Sequence, residues 1–145
     1  MIEYIRTGDR LLAVIVRNDY KQDGVSFFTP DAAAQQIGCI GRAKGDVCEA
    51  HVHNMVKRDV FYTSETLIIK EGKVRADIYD NDKTYVQSVI VSKGDVILFC
   101  DGGHGFKFLE DTQIVEIKQG PYLSVADKVR FEGIKESEAV LNEKK

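Results

Sequence analysis

The fold of this chain is indicated most clearly by residues 45–53, GDVCEAHVH, which carry two of its three histidines, His51 and His53. Side chains two positions apart on a β-strand point to the same face of a sheet, so a strand here would present both imidazoles together. The third histidine, His104, and the carboxylate of Glu65 stand in later strand-like runs. Three imidazoles and a carboxylate suit a divalent transition metal, and they do not choose among Fe, Mn, Ni and Zn.

These four residues belong to two motifs, each of which begins with a glycine. The first runs over residues 45–72 as G-x5-H-x-H followed by E-x6-G, and the second runs over residues 94–104 as G-x5-C-x-G-x-H. In this order, the two motifs resemble those of the cupin superfamily. The chain departs from the family pattern in the long segment 54–64 before Glu65, and in Cys100, where the family usually has proline.

Four further blocks resemble a group of small bacterial cupins whose genes tend to lie among those for surface polysaccharides. The resemblance implies an all-β, single-domain cupin jelly roll (a double-stranded β-helix) over residues 1–132. It also implies a metal held by the four residues above, a homodimer formed through a strand edge or a sheet face, and a small-molecule ligand or substrate. The blocks are FFTPDAAAQQIG (27–38), HVHNMVKRDVFYTSETLIIKEGKV (51–74), GGHGFKFLEDTQIVEIKQGPY (102–122) and DKVRFE (127–132).

Short alternating runs separated by Gly, Asp and Asn, with two prolines in the chain, also predict an all-β domain. Residues 29–36 are an exception, because a cap residue, a proline and three alanines predict a short N-terminal helix. The charged residues 133–145 predict a C-terminal tail. The expected strands are LLAVIVR (11–17), CEAHVHN (48–54), ETLIIKEGKVRADIYD (65–80, with a hairpin turn at 70–73), TYVQSVIV (84–91), DVILFC (95–100), GFKFL (105–109) and TQIVEIKQ (112–119). In the third of these, alternation predicts that Glu65, Leu67 and Ile69 lie on one face.

The composition argues against several classes of protein. The net charge is −3 and no basic stripe is present, so a nucleic-acid partner is not expected. Charges interrupt the apolar start, MIEYIRTGDRLLAVIV, which therefore predicts neither a signal peptide nor a membrane span. Cys39, Cys48 and Cys100 form no CxxC pair, which favours a reduced, cytoplasmic protein. Cys39 and Cys48 are expected as small buried residues, and the role of Cys100 stays open.

Two residues near the first motif are candidates for substrate binding. Arg58 lies in the segment between His53 and Glu65, which we expect at the mouth of the barrel, where a guanidinium could bind a carboxylate or phosphate. Tyr62 is the second candidate. Glu65 also has an alternative role, since a carboxylate can orient a ligand histidine through a hydrogen bond instead of binding the metal. The alternative interpretation of His51 and His53 is that they form a pair on a strand face with a structural role and bind no metal.

The resemblance and the ligand set leave two functional classes open. One is a metal-dependent enzyme of isomerase or epimerase type that acts on a sugar or sugar acid of surface polysaccharide synthesis, and an iron-dependent oxygenase fits the same ligands. The other is a module that binds a small ligand without chemistry. With all three histidines assigned to the metal, no obvious histidine–carboxylate pair remains for proton transfer, which counts against acid–base catalysis.

Overall fold

The computed structural model describes residues 1–123 and 127–141, and the regular secondary structure of these residues consists almost entirely of β-strands. A short 3-10 turn, Glu136–Glu138, follows the last strand. In the whole of the described part of the chain, no helix is long and apolar enough to cross a membrane. The strands are β1 (Ile2–Thr7), β2 (Arg10–Val16), β3 (Gly24–Phe27), β4 (Gly38–Gly41), β5 (Glu65–Glu71), β6 (Lys73–Tyr79), β7 (Tyr85–Ser92), β8 (Val96–Phe99), β9 (Gly103–Phe108) and β10 (Gln113–Lys118).

Two antiparallel sheets pack against each other around one core. The larger sheet has the strand order β1-β2-β8-β5-β10, the smaller sheet has the order β7-β6-β9, and β3 pairs with β4 in a separate hairpin. The all-β prediction is therefore confirmed. Burial of apolar area, worth about 25 cal/mol per Å², stabilises the contact between the sheets. The shared core includes Ala13, Ile15, Leu67, Ile69 and Ile97 from the larger sheet and Val74, Ala76, Ile78, Val89 and Val91 from the smaller one.

Alternation along β5 decides which of its side chains enter this core. Leu67 and Ile69 are almost fully buried, and Glu65 precedes them on the same face of the strand, as the sequence predicts. β6 follows the same rule with its own apolar residues turned inward. Arg75 and Asp77 therefore lie on the opposite, outer face of the smaller sheet.

The turn at Gly72 connects the two sheets. A tight turn is present where the sequence predicts a hairpin, but the hairpin itself is wrong, because β5 pairs with β8 and β10 whereas β6 pairs with β7 and β9. Both strands are apolar on the face that enters the core, so they bury these faces by lying in opposite sheets. Gly72 has a φ of 82°, and a Cβ at this position would collide with the backbone carbonyl of Asp111.

The helix predicted for residues 29–36 is not seen. The chain makes turns there because a side chain binds carbonyl groups that a helix would use for its own hydrogen bonds. The amide nitrogen of Gln36 donates to the carbonyls of Pro30 and Asp31, at 2.9 and 3.1 Å. The local signals for helix initiation were present, but this longer-range side-chain contact overrides them.

The strand predicted for residues 48–54 is also not seen. Residues 46–61 have no regular secondary structure and lie on the surface. Cys48 is exposed rather than buried, which corrects the expectation for this thiol. A strand needs a neighbour to satisfy its backbone groups, and the alternation of side chains in the sequence carries no information about whether such a neighbour exists.

The last described residues, from Phe131 onward, pack on the outer face of the smaller sheet, where Phe131 contacts the ring of Tyr79 and the carbonyl of Val140 accepts from the N–H of Ser88. The backbone N–H of Ile134 donates to the hydroxyl of Tyr79 at 3.0 Å. On the same sheet, the guanidinium of Arg75 donates two hydrogen bonds, of 2.8 and 3.0 Å, to the carboxylate of Asp77, and both residues are buried. The separation of residues 133–145 as a tail stays a prediction, and so does the homodimer.

The Gly72→Ala variant should lose more than about 2 kcal/mol of unfolding free energy. Alanine must adopt left-handed backbone at a cost of about 1–2 kcal/mol, and its Cβ must also displace a backbone carbonyl. Gly8→Ala is the matched control, because Gly8 has a φ of 54° and a Cβ there meets none of the described atoms within 4 Å. Urea unfolding measures both variants, and equal losses would contradict the close approach at this turn.

Candidate functional site

Glu65 begins β5 between two neighbouring strands of the larger sheet. Its register partner on β8 is Phe99, and its register partner on β10 is Lys118. Directly paired residues on antiparallel strands project to the same face of a sheet, so these three side chains share the inner face with Leu67 and Ile69. The fold therefore places a carboxylate at the end of an apolar row.

His104 reaches the same place from the smaller sheet. It lies on β9, where its register partner is Ile78 of β6, whose side chain is fully buried in the core. His104 therefore also points inward, and its Nε2 lies 3.0 Å from Oε2 of Glu65. The Glu65–His104 pair thus bridges the two sheets.

Two aromatic rings surround the imidazole of His104. The ring of Phe99 stacks on it, with centroids 4.1 Å apart and planes 18° apart, and the centroid of Phe106 lies 5.1 Å away. Phe99 and Phe106 also contact each other edge to face, at 5.8 Å. These contacts and the carboxylate of Glu65 hold the imidazole in one orientation.

The carboxylate of Glu65 is held in its ionised form. Its hydrogen bond with His104 lowers its pKa, burial acts in the opposite direction, and the positive charges of His104, Lys128 and Lys118 lower it further. Nζ of Lys118 lies 3.8 Å from Oε1 of Glu65 and 3.1 Å from Oδ2 of Asp127. The hydrogen bond with Asp127 is the main cause of a raised pKa at Lys118, which therefore stays charged.

Glu65 and His104 line a cavity of about 960 Å³, called the main cavity below. Tyr62, the third sequence-predicted site residue at this place, also lines it. The remaining walls come from β8, β9, the end of β6 with its turn, and the chain after β10. They include Tyr79, Phe106, Asp127, Lys128, Arg130 and Phe131.

Three sequence-predicted site residues do not line the main cavity. His51 and His53 are exposed, with ring centroids 5.2 Å apart, and Arg58 is exposed with its guanidinium 3.4 Å from the carbonyl of Val56. Within the described part of the chain, no three His, Cys, Asp or Glu side chains are grouped so that they could hold a metal. In this arrangement the predicted ligands do not fit a metal ion. No chemical step is therefore assigned to one, and the divalent metal stays a prediction from the sequence.

Cys100, whose role the sequence leaves open, lines a second cavity of about 400 Å³, called the side cavity below. Burial raises the pKa of its thiol to about 11, and the negative charge of Asp101 acts in the same direction. The thiol is therefore neutral at pH 7. A neutral thiol is a poor nucleophile and a poor zinc ligand, since both roles require the thiolate.

Several residues of the site were not found from the sequence. Phe106 stands two positions after His104 on one strand, so alternation could have placed its ring beside the imidazole. Alternation along β8 could have placed Phe99 on the inner face of its sheet, but its stacking on His104 depends on how the two sheets face each other. The approach of Lys118 to Glu65 depends on the register of β10 against β5, for which the sequence offers no signal.

Comparison of the chain with protein-family models, with curated proteins and with solved structures finds no match. The function is therefore inferred from the geometry of the site. The relevant features are an ionised carboxylate bound to an imidazole, aromatic rings on the imidazole, and a cavity that adjoins them.

The Glu65→Gln variant should be less stable than the parent at neutral pH, and the difference should close in acid. The pKa of Glu65 is lowered in the folded state, so its pairing stabilises the fold above the ordinary glutamate pKa of about 4.3. This contribution is lost as the pH falls through the lower, folded-state value. Thermal unfolding between about pH 3 and pH 7 measures it, with Glu71→Gln at the exposed end of β5 as control. A difference that is the same at every pH would exclude the ionised pair.

The sequence motif predicts about one divalent metal per subunit. A double variant, His51→Ala with His53→Ala, should then lose it. Elemental analysis of parent and variant, both purified without a histidine tag, measures the content directly. Equal metal content in the two proteins would show that His51 and His53 do not bind the metal.

Proposed function

We propose that this chain binds a small polar, sugar-like molecule in the main cavity, and that the Glu65–His104 pair transfers a proton to or from it. The observation that carries this proposal is the hydrogen bond between an ionised carboxylate and an imidazole on the cavity wall. Such pairs serve as general acids and bases because histidine changes its charge near neutral pH. A histidine–carboxylate pair is the feature that the sequence motifs alone did not supply.

Glu65 prepares the imidazole of His104 for proton transfer. It accepts the hydrogen bond from Nε2 and stabilises the positive charge that forms when the imidazole accepts a proton. Among the described residues, the other ring nitrogen, Nδ1, has no hydrogen-bond partner. We therefore assign to Nδ1 the role of accepting the proton from the bound molecule and of returning it. Removing a proton next to a carbonyl and returning it to a different position or face is isomerisation or epimerisation.

The walls of the main cavity suit a sugar or a sugar acid. The flat rings of Phe106 and Phe131 offer surfaces for the C–H face of a sugar ring, while nearby carboxylates and amides can bind its hydroxyls. Lys128 and Arg130 line the same cavity and can bind an acidic group. The volume of about 960 Å³ is within the roughly 300–1,000 Å³ usual for small-molecule sites.

The proposal includes the family and its setting. Two antiparallel sheets packed around one core, with the main cavity beside that core, support a cupin jelly roll, whose ligands bind inside the barrel. Free cysteines support a reducing compartment such as the cytoplasm. A homodimer and a place in surface polysaccharide synthesis complete the proposal, and both depend on the resemblance of the sequence motifs.

Deuterium exchange into candidate sugars tests the proposed chemistry. Fructose, glucuronate and galacturonate are incubated with the protein in D2O, and loss of the proton next to the carbonyl is followed by NMR. The parent should accelerate this exchange for at least one of them. His104→Gln should slow it by about 100-fold or more, the usual size of a general acid–base contribution. His51→Gln, which changes an exposed histidine outside the main cavity, should keep the parent rate.

The outcomes separate an enzyme from a binding module. Exchange that needs His104 supports proton transfer. Binding of the sugars, seen as shifts of the His104 and Phe106 amide signals but without exchange, would replace the enzyme by a binding function. If neither proton exchange nor sugar binding is observed, the proposal for the main cavity is overturned.

A further inference from the structure

Three cationic side chains line the main cavity, those of Lys83, Lys128 and Arg130. Lys83 lies in the turn between β6 and β7, whereas the other two lie in the described chain after β10. Nζ of Lys83 is 5.9 Å from the centroid of the Phe131 ring, and Phe131 directly follows Arg130. The turn that carries Lys83 therefore lies beside the segment that carries the other two cations.

The four carboxylates that line the main cavity are already bound by other groups of the protein. Glu65 and Asp127 are held by the contacts described above. Nε of Arg10 donates to Oδ2 of Asp101 at 3.1 Å. Oδ1 of Asp80 accepts two backbone N–H groups of its own turn, both at 2.9 Å. None of these carboxylates therefore needs one of the three cations.

The three cations have no such partner. Within the part of the chain that the structure describes, no ion pair joins Lys83, Lys128 or Arg130 to a carboxylate. Lys83 lies near the ring of Phe131, and Lys128 acts on Glu65 only through its charge. Once the carboxylates are paired, the charge that remains on the cavity wall is positive. A cavity wall with charge of one sign attracts ligands of the opposite sign.

The backbone of Lys83 gives an independent indication that its side chain has a role. Its φ is 67°, and it is the one described residue other than glycine with a positive φ. This left-handed conformation crowds a Cβ and favours glycine or asparagine. Residues held in such unfavourable conformations cluster at binding sites. Here the unfavourable residue places an amine on the wall of the main cavity.

The turn holds this backbone in one conformation. The N–H of Lys83 donates to the carbonyl of Asp80 at 3.1 Å, and the N–H of Asp80 donates to the carbonyl of Thr84 at 2.9 Å. Together with the two bonds to Oδ1 of Asp80, these contacts close the turn without any contribution from the Lys83 side chain. The lysine is therefore not needed for the turn itself.

We infer that Lys83, Lys128 and Arg130 bind a phosphate group carried by the sugar-like ligand. A phosphate monoester carries a charge of about −1.5 to −2 at pH 7 and has three acceptor oxygens. A guanidinium can bind two of these oxygens through parallel hydrogen bonds, while an ammonium supplies a point charge. Three cations match this dianion better than the single charge of a carboxylate. The inference rests on the proposed function and deepens it, because it identifies the ligand as a phosphorylated sugar.

Inorganic phosphate tests the site without a sugar. Phosphate and acetate are titrated separately into 15N-labelled parent protein at neutral pH and constant ionic strength, and the backbone amide signals of Lys83, Arg130 and Phe131 are followed. Phosphate should shift these signals to saturation and bind at least about tenfold more tightly than acetate, the size of one additional hydrogen bond between charged groups. Absence of saturable shifts, or equal affinities for the two anions, would overturn the inference.

Variants assign the phosphate affinity to the amine of Lys83. Lys83→Gly should weaken phosphate binding about tenfold and leave the melting temperature unchanged or higher, because glycine adopts the left-handed backbone without strain. Lys83→Gln should weaken binding equally without raising the melting temperature. Lys93→Gln, which changes an exposed lysine of the β7–β8 turn outside both cavities, should keep the parent affinity. Parent affinity in both Lys83 variants would overturn the inference.

A phosphorylated sugar links the two proposals and allows them to fail separately. Fructose 6-phosphate should bind at least about tenfold more tightly than fructose, for the same reason. Sugar proton exchange that needs His104, with no response to phosphate at Lys83, would leave the proposed function intact and remove the phosphate site. Phosphate binding that depends on Lys83, with neither sugar binding nor exchange at His104, would leave an anion-binding cavity and remove the sugar chemistry.

Discussion

Glu65 places an ionised carboxylate on the inner face of a β-sheet. The arrangement of the site depends on the groups that balance this negative charge. A charge taken out of water is very unfavourable unless it is paired and hydrogen-bonded. The opposite sheet supplies His104 at 3.0 Å, and the neighbouring strand supplies Lys118 at 3.8 Å. Because the imidazole comes from the other sheet, the pair joins β5 to β9 where the apolar core gives way to the main cavity.

Other buried charges in the protein are paired by the same rule but have a different setting. Arg17 donates to Asp95 at 2.8 Å and also binds Glu3, and Arg75 donates to Asp77. These guanidinium–carboxylate pairs hold strands and turns together and do not line the main or the side cavity. The Glu65–His104 pair is different, since it lines the main cavity and contains an imidazole, a group that can both accept and donate a proton. This difference separates a candidate catalytic pair from structural ion pairs.

Sequence reasoning predicted the features that depend on local periodicity. The all-β class and the shared face of Glu65, Leu67 and Ile69 follow from alternation, and the structure confirms both. The helix at residues 29–36 and the strand at 48–54 failed for a different reason. Each depends on a partner far along the chain or on a competing side chain, which propensity does not encode. The contact between Glu65 and His104 likewise depends on how two sheets face each other. The sequence motifs selected both residues for a metal, and the structure pairs them with each other.

The most direct test of the account is the titration of the Glu65 carboxyl group by NMR, in the parent and in His104→Phe, which keeps a ring and has no hydrogen-bond donor. In the parent, the account predicts a pKa below the ordinary glutamate value of about 4.3. In the variant, the hydrogen bond and the positive charge of His104 are lost while burial remains, so the pKa should rise. A carboxyl group that titrates at or above the ordinary value in the parent, or whose pKa is the same in the variant, would contradict the pair on which the proposed function depends.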